Sequence, residues 1–233
     1  MNRPLSMPPL PVLLRGVALL LIVGACGDPD APSPPALDDP TILLVDAAGD
    51  VSRMLRLEPG REAPDVVRPA LAPGARGLTL DRTEGILYWA SRDGDRIQLG
   101  RWTDASMSDL PVAGLDSAYA VEYLASEDSL YWSDYGTDAI HRIPLGGGEV
   151  EIVVDGLVAP RQIAIDDAGG VVYWVDRGAG RVESIGLDGG EVTVWAEGLA
   201  APYGIALHPS EPALLIGDAE EGVIYRIDLD TGE

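Results

Sequence analysis

A short stretch that returns at a fixed interval constrains this protein more than any other feature. Leu130-Tyr131-Trp132-Ser133-Asp134 reappears as Val172-Tyr173-Trp174-Val175-Asp176 and, upstream, as Leu87-Tyr88-Trp89-Ala90-Ser91. Weaker copies are Leu43-Leu44-Val45-Asp46 and Leu214-Leu215-Ile216-Gly217-Asp218. The first aromatic falls at positions 88, 131 and 173, with Leu215 in the matching slot, so the steps are 43, 42 and 42 residues. A fixed period of this size means stacked supersecondary units, each burying its apolar faces against its neighbours.

Each period has the same internal order. A short strand ending near an acid comes first, as in Gly77-Leu78-Thr79-Leu80-Asp81 and Gln162-Ile163-Ala164-Ile165-Asp166. A polar turn leads to the Tyr-Trp strand, and a Gly-rich loop such as Gly178-Ala179-Gly180 follows it. A third strand alternates apolar and polar residues, as in Val182-Glu183-Ser184-Ile185, and a fourth runs through Val192 to Trp195. Alternation and turn residues are strand signals, and nothing past residue 40 shows a helical period. Four short antiparallel strands in about 40 residues make the blade of a β-propeller, an all-β fold. Adjacent strand residues point to opposite faces, so Tyr and Trp pack toward the two neighbouring blades. The Asp at the strand end is placed to accept backbone hydrogen bonds from the next loop.

The N-terminal part reads differently. Arg3 and Arg15 flank a Pro-rich start, and Gly16 to Ala25 form an apolar run too short to cross a bilayer of ~30 Å as a helix. A basic start, a short apolar run and small residues at its end read as a secretion signal over residues 1–25. Its end, Val23-Gly24-Ala25-Cys26, resembles a bacterial lipobox, which implies cleavage before Cys26 and lipid attachment to it. Residues 26–40 are dense in proline and read as an extended tether, and residues 41–233 as the propeller. The protein is therefore expected in the bacterial cell envelope, outside the cytoplasm and held to a membrane by lipid alone. Cys26 is the only cysteine, so no intramolecular disulfide forms. Net charge is −22, and −24 beyond residue 25, since Arg3 and Arg15 are the only charges removed. Such a protein repels nucleic acid and anionic membrane surfaces.

The units resemble the YWTD repeats of the low-density lipoprotein receptor class, also called class B repeats. The residues that carry the likeness run from Gly156-Leu157-Val158-Ala159-Pro160-Arg161-Gln162-Ile163-Ala164-Ile165-Asp166 through Val172-Tyr173-Trp174-Val175-Asp176 to Leu187-Asp188-Gly189. Gly198-Leu199-Ala200-Ala201-Pro202-Tyr203-Gly204-Ile205-Ala206 opens another copy. The Gly-Ile-Ala opening is shared with NHL-type propellers. The resemblance implies a six-bladed ring that binds proteins or other ligands without catalysis. This sequence departs from it where 42–46 and 214–218 lack the aromatic pair and where Ser91 replaces the Asp. It supplies about four and a half blades, and the expectation is a ring incomplete at the C-terminus. A five-bladed ring joining the first and last units, or pairing with another polypeptide, are the alternatives.

Function is expected on the loops. The residue before each innermost strand repeats in register as Arg76, Tyr119, Arg161 and Tyr203. The loops after the Tyr-Trp strands bring Arg92, Tyr135 and Arg177 to the same face. Arg and Tyr combine large contact area with a polar tip, which suits recognition of a protein, peptide or glycan. Catalysis has less support. His141 and His208 are the only histidines, and no nucleophile is placed near either. No phosphate loop or EF-hand pattern is present, and no cofactor is expected. The alternative is a lactonase- or lyase-like enzyme with a channel site near His208.

Overall fold

The computed structural model describes residues 17–23, 41–46, 52–57, 65–71, 74–101 and 106–233. Cys26 and the Pro-rich tether lie outside the described residues. Five antiparallel sheets follow one another in sequence order. The first holds β1 (Val17–Val23), β2 (Thr41–Asp46), β3 (Ser52–Leu57) and β4 (Asp65–Leu71). The second holds β5 (Ala75–Asp81), β6 (Ile86–Ser91), β7 (Arg96–Arg101) and β8 (Ser108–Asp109), with a 3-10 turn at Arg92–Gly94. The third holds β9 (Ala118–Leu124), β10 (Ser129–Asp134), β11 (Ala139–Pro144) and β12 (Glu151–Val154). The fourth holds β13 (Pro160–Asp166), β14 (Val171–Asp176), β15 (Arg181–Gly186) and β16 (Gly189–Glu197). The fifth has three strands, β17 (Pro202–Leu207), β18 (Ala213–Asp218) and β19 (Val223–Asp228). Strand order within every sheet is sequential, which is the blade topology expected from the repeat.

The innermost strands β1, β5, β9, β13 and β17 pack side by side in series. Among the described residues no comparable packing joins β17 to β1. Strands β2 to β19 are those expected from the sequence. The apolar run of residues 17–23 also forms a strand, β1, which pairs antiparallel with β2, from Val17↔Asp46 to Val23↔Thr41. It takes the innermost place that the repeat leaves empty in the first blade. The physical reason is that a run of Val, Leu and Ile has high strand propensity, and β2 offers it an unpaired edge.

The Tyr-Trp strands interlock the blades. Tyr88 and Trp132 share one core cluster, between the second and third blades. Tyr131 and Trp174 share the next, between the third and fourth. Tyr173 then meets the fifth blade, where Ile216 occupies the tryptophan slot. Tyr88, Tyr131 and Tyr173 therefore face the following blade, and Trp132 and Trp174 the preceding one. Trp89, Trp132 and Trp174 are at most 1% exposed.

Each indole N–H is buried and looks across the ladder to the third strand. Its register partners are Gln98, His141 and Glu183. Trp89 Nε1 donates to Gln98 Oε1 at 3.0 Å and Trp174 Nε1 to Glu183 Oε2 at 3.1 Å. His141 stacks on Trp132 instead, with centroids 5.3 Å apart, and Trp132 Nε1 has no partner among the described residues.

Carboxylates and hydroxyls tie the loops to this core. Asp134 accepts from the backbone N–H of Gly136 and Thr137 in the loop after it, as expected. It also accepts from Asp116 N at 2.8 Å, in the loop before β9. Asp176 does the same with Ala179 and Val158, and Asp218 with Glu220, Glu221 and Ala201. One acid thus fixes both loops at one end of its blade. Burial raises the Asp134 carboxyl, against the pull of these N–H donors. Ser133 bridges blades: its Oγ donates to the Arg161 carbonyl at 2.6 Å and accepts from Ala120 N at 3.1 Å.

Ser133→Ala leaves a buried N–H and a buried carbonyl without that partner and is expected to cost about 1–3 kcal/mol. Trp174→Ala empties the space between the third and fourth blades and is expected to cost about 3–5 kcal/mol. Urea unfolding of the full-length protein measures both. A Ser133→Ala midpoint equal to wild type rules out a stabilising role for the bridge.

Candidate functional site

Backbone geometry aims the repeated Arg and Tyr residues. Two positions before Arg76, Tyr119 and Arg161 stand Gly74, Ser117 and Ala159, with φ of 72°, 73° and 62°. This left-handed conformation is uncommon for Ser and Ala and is held only where surrounding contacts enforce it. Those contacts come from the loops after the Tyr-Trp strands. Arg92 N donates to Gly74 O at 3.1 Å, Tyr135 N to Ser117 O at 3.2 Å, and Arg177 N to Ala159 O at 3.3 Å. Both sets of candidate residues therefore lie at the same end of the blades.

Arg161 is the centre of the cluster. It is 7% exposed, and its guanidinium carbon lies 4.8 Å from the Tyr119 ring centroid, 4.5 Å from Tyr135 and 5.6 Å from Tyr203. These are cation–π distances, to rings from the third and fifth blades. Arg177 covers the Tyr203 ring at 5.3 Å, and the Tyr119 and Tyr203 rings meet edge to face at 6.1 Å. Burial pushes the Tyr119 phenol up to about 12, with Tyr203 acting in the same direction and Arg161 and Arg76 opposing it. Tyr119 is thus a neutral donor at physiological pH, and Arg76 is within electrostatic reach. Arg161 Nη1 donates to Pro160 O at 3.3 Å, and Arg76 makes the same turn back to Ala75 O at 3.4 Å. Arg161 Nε has no hydrogen-bond partner among the described residues.

The seventh candidate, Arg92, stands apart. It is paired with Asp93 at 2.9 Å and lines an open depression with Asp95, Asp116, Ser117 and Tyr135. Tyr135 joins the depression to the cluster. Asp116 and Ser117 were not singled out from the sequence, because the strained loop before β9 carries no glycine at the position where Gly74 marks its counterpart. His208 is placed elsewhere. It follows the far end of β17 from Tyr203, and its Nδ1 accepts from Ser210 N in a turn. Among the described residues no group of three or more His, Cys, Asp or Glu side chains is arranged to hold a metal ion.

No protein-family model matches the sequence. A 64-residue part, 27% of the sequence, is 39% identical to human low-density lipoprotein receptor-related protein 4, and the mouse receptor matches equally. The match spans only 3% of the length of those receptors. A nidogen/laminin complex contains a polypeptide that superposes with a TM-score of 0.74 at 21% identity, over 83% of this protein and 73% of that one. The fold is a β-propeller. Other propeller neighbours are more distant in sequence. Virginiamycin B lyase from Staphylococcus aureus has a TM-score of 0.66 at 12% identity, over 92% of this protein and 67% of that one. An auxiliary nutrient binding protein from Bacteroides thetaiotaomicron has 0.67 at 16%, over 80% and 56%. At such identities the likeness concerns the fold alone.

One ionisable group of the propeller lies farther along β9 than the cluster. Glu122 is partly buried, and Thr79 Oγ1 of the second blade donates to it at 3.3 Å. Desolvation pushes its carboxyl up to about 8, and the Thr79 bond only partly offsets this. A folded-state value above the unfolded one means that the folded protein holds the proton more tightly. The associated stability is complete below about 4.5 and is lost as pH rises through about 8. Glu122→Gln is therefore expected to gain stability relative to wild type between pH 5 and pH 8, read as urea midpoints. A constant difference across that range contradicts the shift.

Proposed function

We propose that this propeller is a non-catalytic binding module that takes a protein, peptide or glycan ligand at the Arg-Tyr face, and that a lipid on Cys26 holds it to a membrane outside the cytoplasm. The observation that carries the binding reading is Arg161, a buried cation walled by Tyr119, Tyr135 and Tyr203 at one end of the blades. Arg and Tyr in a desolvated pocket ringed by polar residues have the composition of an interface anchor. The neighbours include a nidogen/laminin complex and a nutrient binding protein, whose names describe binding, beside a lyase. Binding is favoured over lyase chemistry because, among the described residues, the groups packed around Arg161 are tyrosines and not a histidine or carboxylate poised to move a proton. The anchor rests on the Val23-Gly24-Ala25-Cys26 sequence. Cleavage there removes β1 and leaves the inner edge of β2 to be filled or covered.

Photo-cross-linking on intact cells tests the binding face. A benzoylphenylalanine at Tyr203 is expected to give adducts that the same group at Ile152, on an outer strand and 62% exposed, does not. Equal labelling from both positions, or none from Tyr203, counts against the reading. Fatty-acid labelling tests the anchor: incorporation into wild type that persists in Cys26→Ser excludes it. Lyase or hydrolase activity abolished by His208→Ala overturns the non-catalytic assignment.

A further inference from the structure

The most unusual electrostatic feature among the described residues is a set of cations without counter-ions. The sequence has 38 acids and 16 arginines, so an arginine has ample chance of a carboxylate partner. Arginines elsewhere take it: Arg96 pairs with Asp109, Arg142 with Glu151, and Arg226 with Glu211. Among the described residues Arg76, Arg161 and Arg177 have no ion pair, and all three stand at the Arg-Tyr face. Arg161 is more than nine-tenths buried, and its Nε–H is unsatisfied. Burying an unpaired charge is costly, and a guanidinium left with an open donor has the geometry to take a planar oxyanion. Cation–π contacts offset part of the desolvation but use the ring faces, and with Nη1 donating to Pro160 O they leave the Nε–H without an acceptor among the described residues.

We infer that Arg161, flanked by Arg76 and Arg177, is the receiving site for a carboxylate carried by the polypeptide ligand of this face. The inference rests on the binding reading above and specifies its chemistry. The ligand is a polypeptide presenting a single acid, not an extended polyanion. Arg76, Arg161 and Arg177 stand at the mouth of the blades, and the adjoining depression carries Asp93, Asp95 and Asp116. Nucleic acid or a sulfated polysaccharide approaching Arg161 meets that acidic rim and the net charge of the protein. One Asp or Glu side chain on a projecting loop, or a free C-terminal carboxylate, with neutral or basic neighbours passes it.

The test uses the full-length protein with its arginine side-chain N–H groups observed by nitrogen-15 NMR. The probes are the capped tripeptide acetyl-Gly-Asp-Gly-amide, its Asn counterpart and inorganic phosphate, each at matched chloride ionic strength. The Asp peptide is expected to shift the Arg161 Nε–H signal saturably, at least tenfold more tightly than the Asn peptide. Arg177→Gln, an exposed substitution that leaves the core intact, is expected to weaken this binding at least threefold, and Arg161→Gln to abolish it. Arg226→Gln, on β19 away from the face, is expected to leave it unchanged. Phosphate binding more tightly than the Asp peptide reassigns the site to a phosphorylated ligand and overturns the proposal. Equal effects of Asp and Asn, no saturable shift, or retention in both Arg161→Gln and Arg177→Gln also overturn it. Cross-linking at Tyr203 together with any of these results keeps the face as a binding surface and removes only the carboxylate. Loss of the Tyr203 adduct with a saturable Asp shift removes the cellular partner and retains the anion site.

Discussion

The packing on which the rest of this structure depends puts a tyrosine of one blade and a tryptophan of the next into one core. Tyr88 and Trp132 share one such core, and Tyr131 and Trp174 the next. A blade alone is a small sheet with two apolar faces and no core of its own. It becomes stable only when both faces are covered, so stability in this architecture lies in the interfaces between units. Large rings suit that task because one residue buries much apolar area at little side-chain entropy. The last interface keeps the rule with a smaller residue, Ile216, in the tryptophan slot.

The polar groups beside those rings do different work from the rings. Asp134, Asp176 and Asp218 each hold two loops at one end of a blade, one after the second strand and one before the innermost strand. In the third and fourth blades the innermost strand is then preceded by a left-handed residue, and the side chain two positions later joins the central cluster. The same motif that packs the blades therefore sets the loop geometry of the candidate site. Ser133 carries this across the blade boundary, since its hydroxyl holds the carbonyl of Arg161 itself.

Much of this was legible from residue order. The period placed β2 to β19, and the direction reversal along a strand placed Tyr and Trp on opposite faces. The register of Arg76, Tyr119, Arg161 and Tyr203 placed them at one end of the blades. Other features were not legible. The Gln98, His141 and Glu183 partners of the indoles follow from cross-strand register, which the alternation of a single strand does not state. The strained loop residues Ser117 and Ala159 have no compositional mark, unlike Gly74. The strand pairing of Val17–Val23 has the same short apolar pattern as a secretion signal, because both need a run that avoids water.

Sequence alone determined the unit: its length, its four strands, the ring-bearing strand at its centre and the Arg-Tyr register at its mouth. These are local or periodic properties, and residue order encodes them directly. Tertiary structure decided which of the register residues act together. Arg161 gathers Tyr119, Tyr135 and Tyr203 because the blades converge at their inner strands, whereas Arg92 is held outward by Asp93 and His208 lies at the other end of β17. Burial, and with it the lack of a counter-ion for Arg161 among the described residues, is a property of the assembled blades that no single repeat contains.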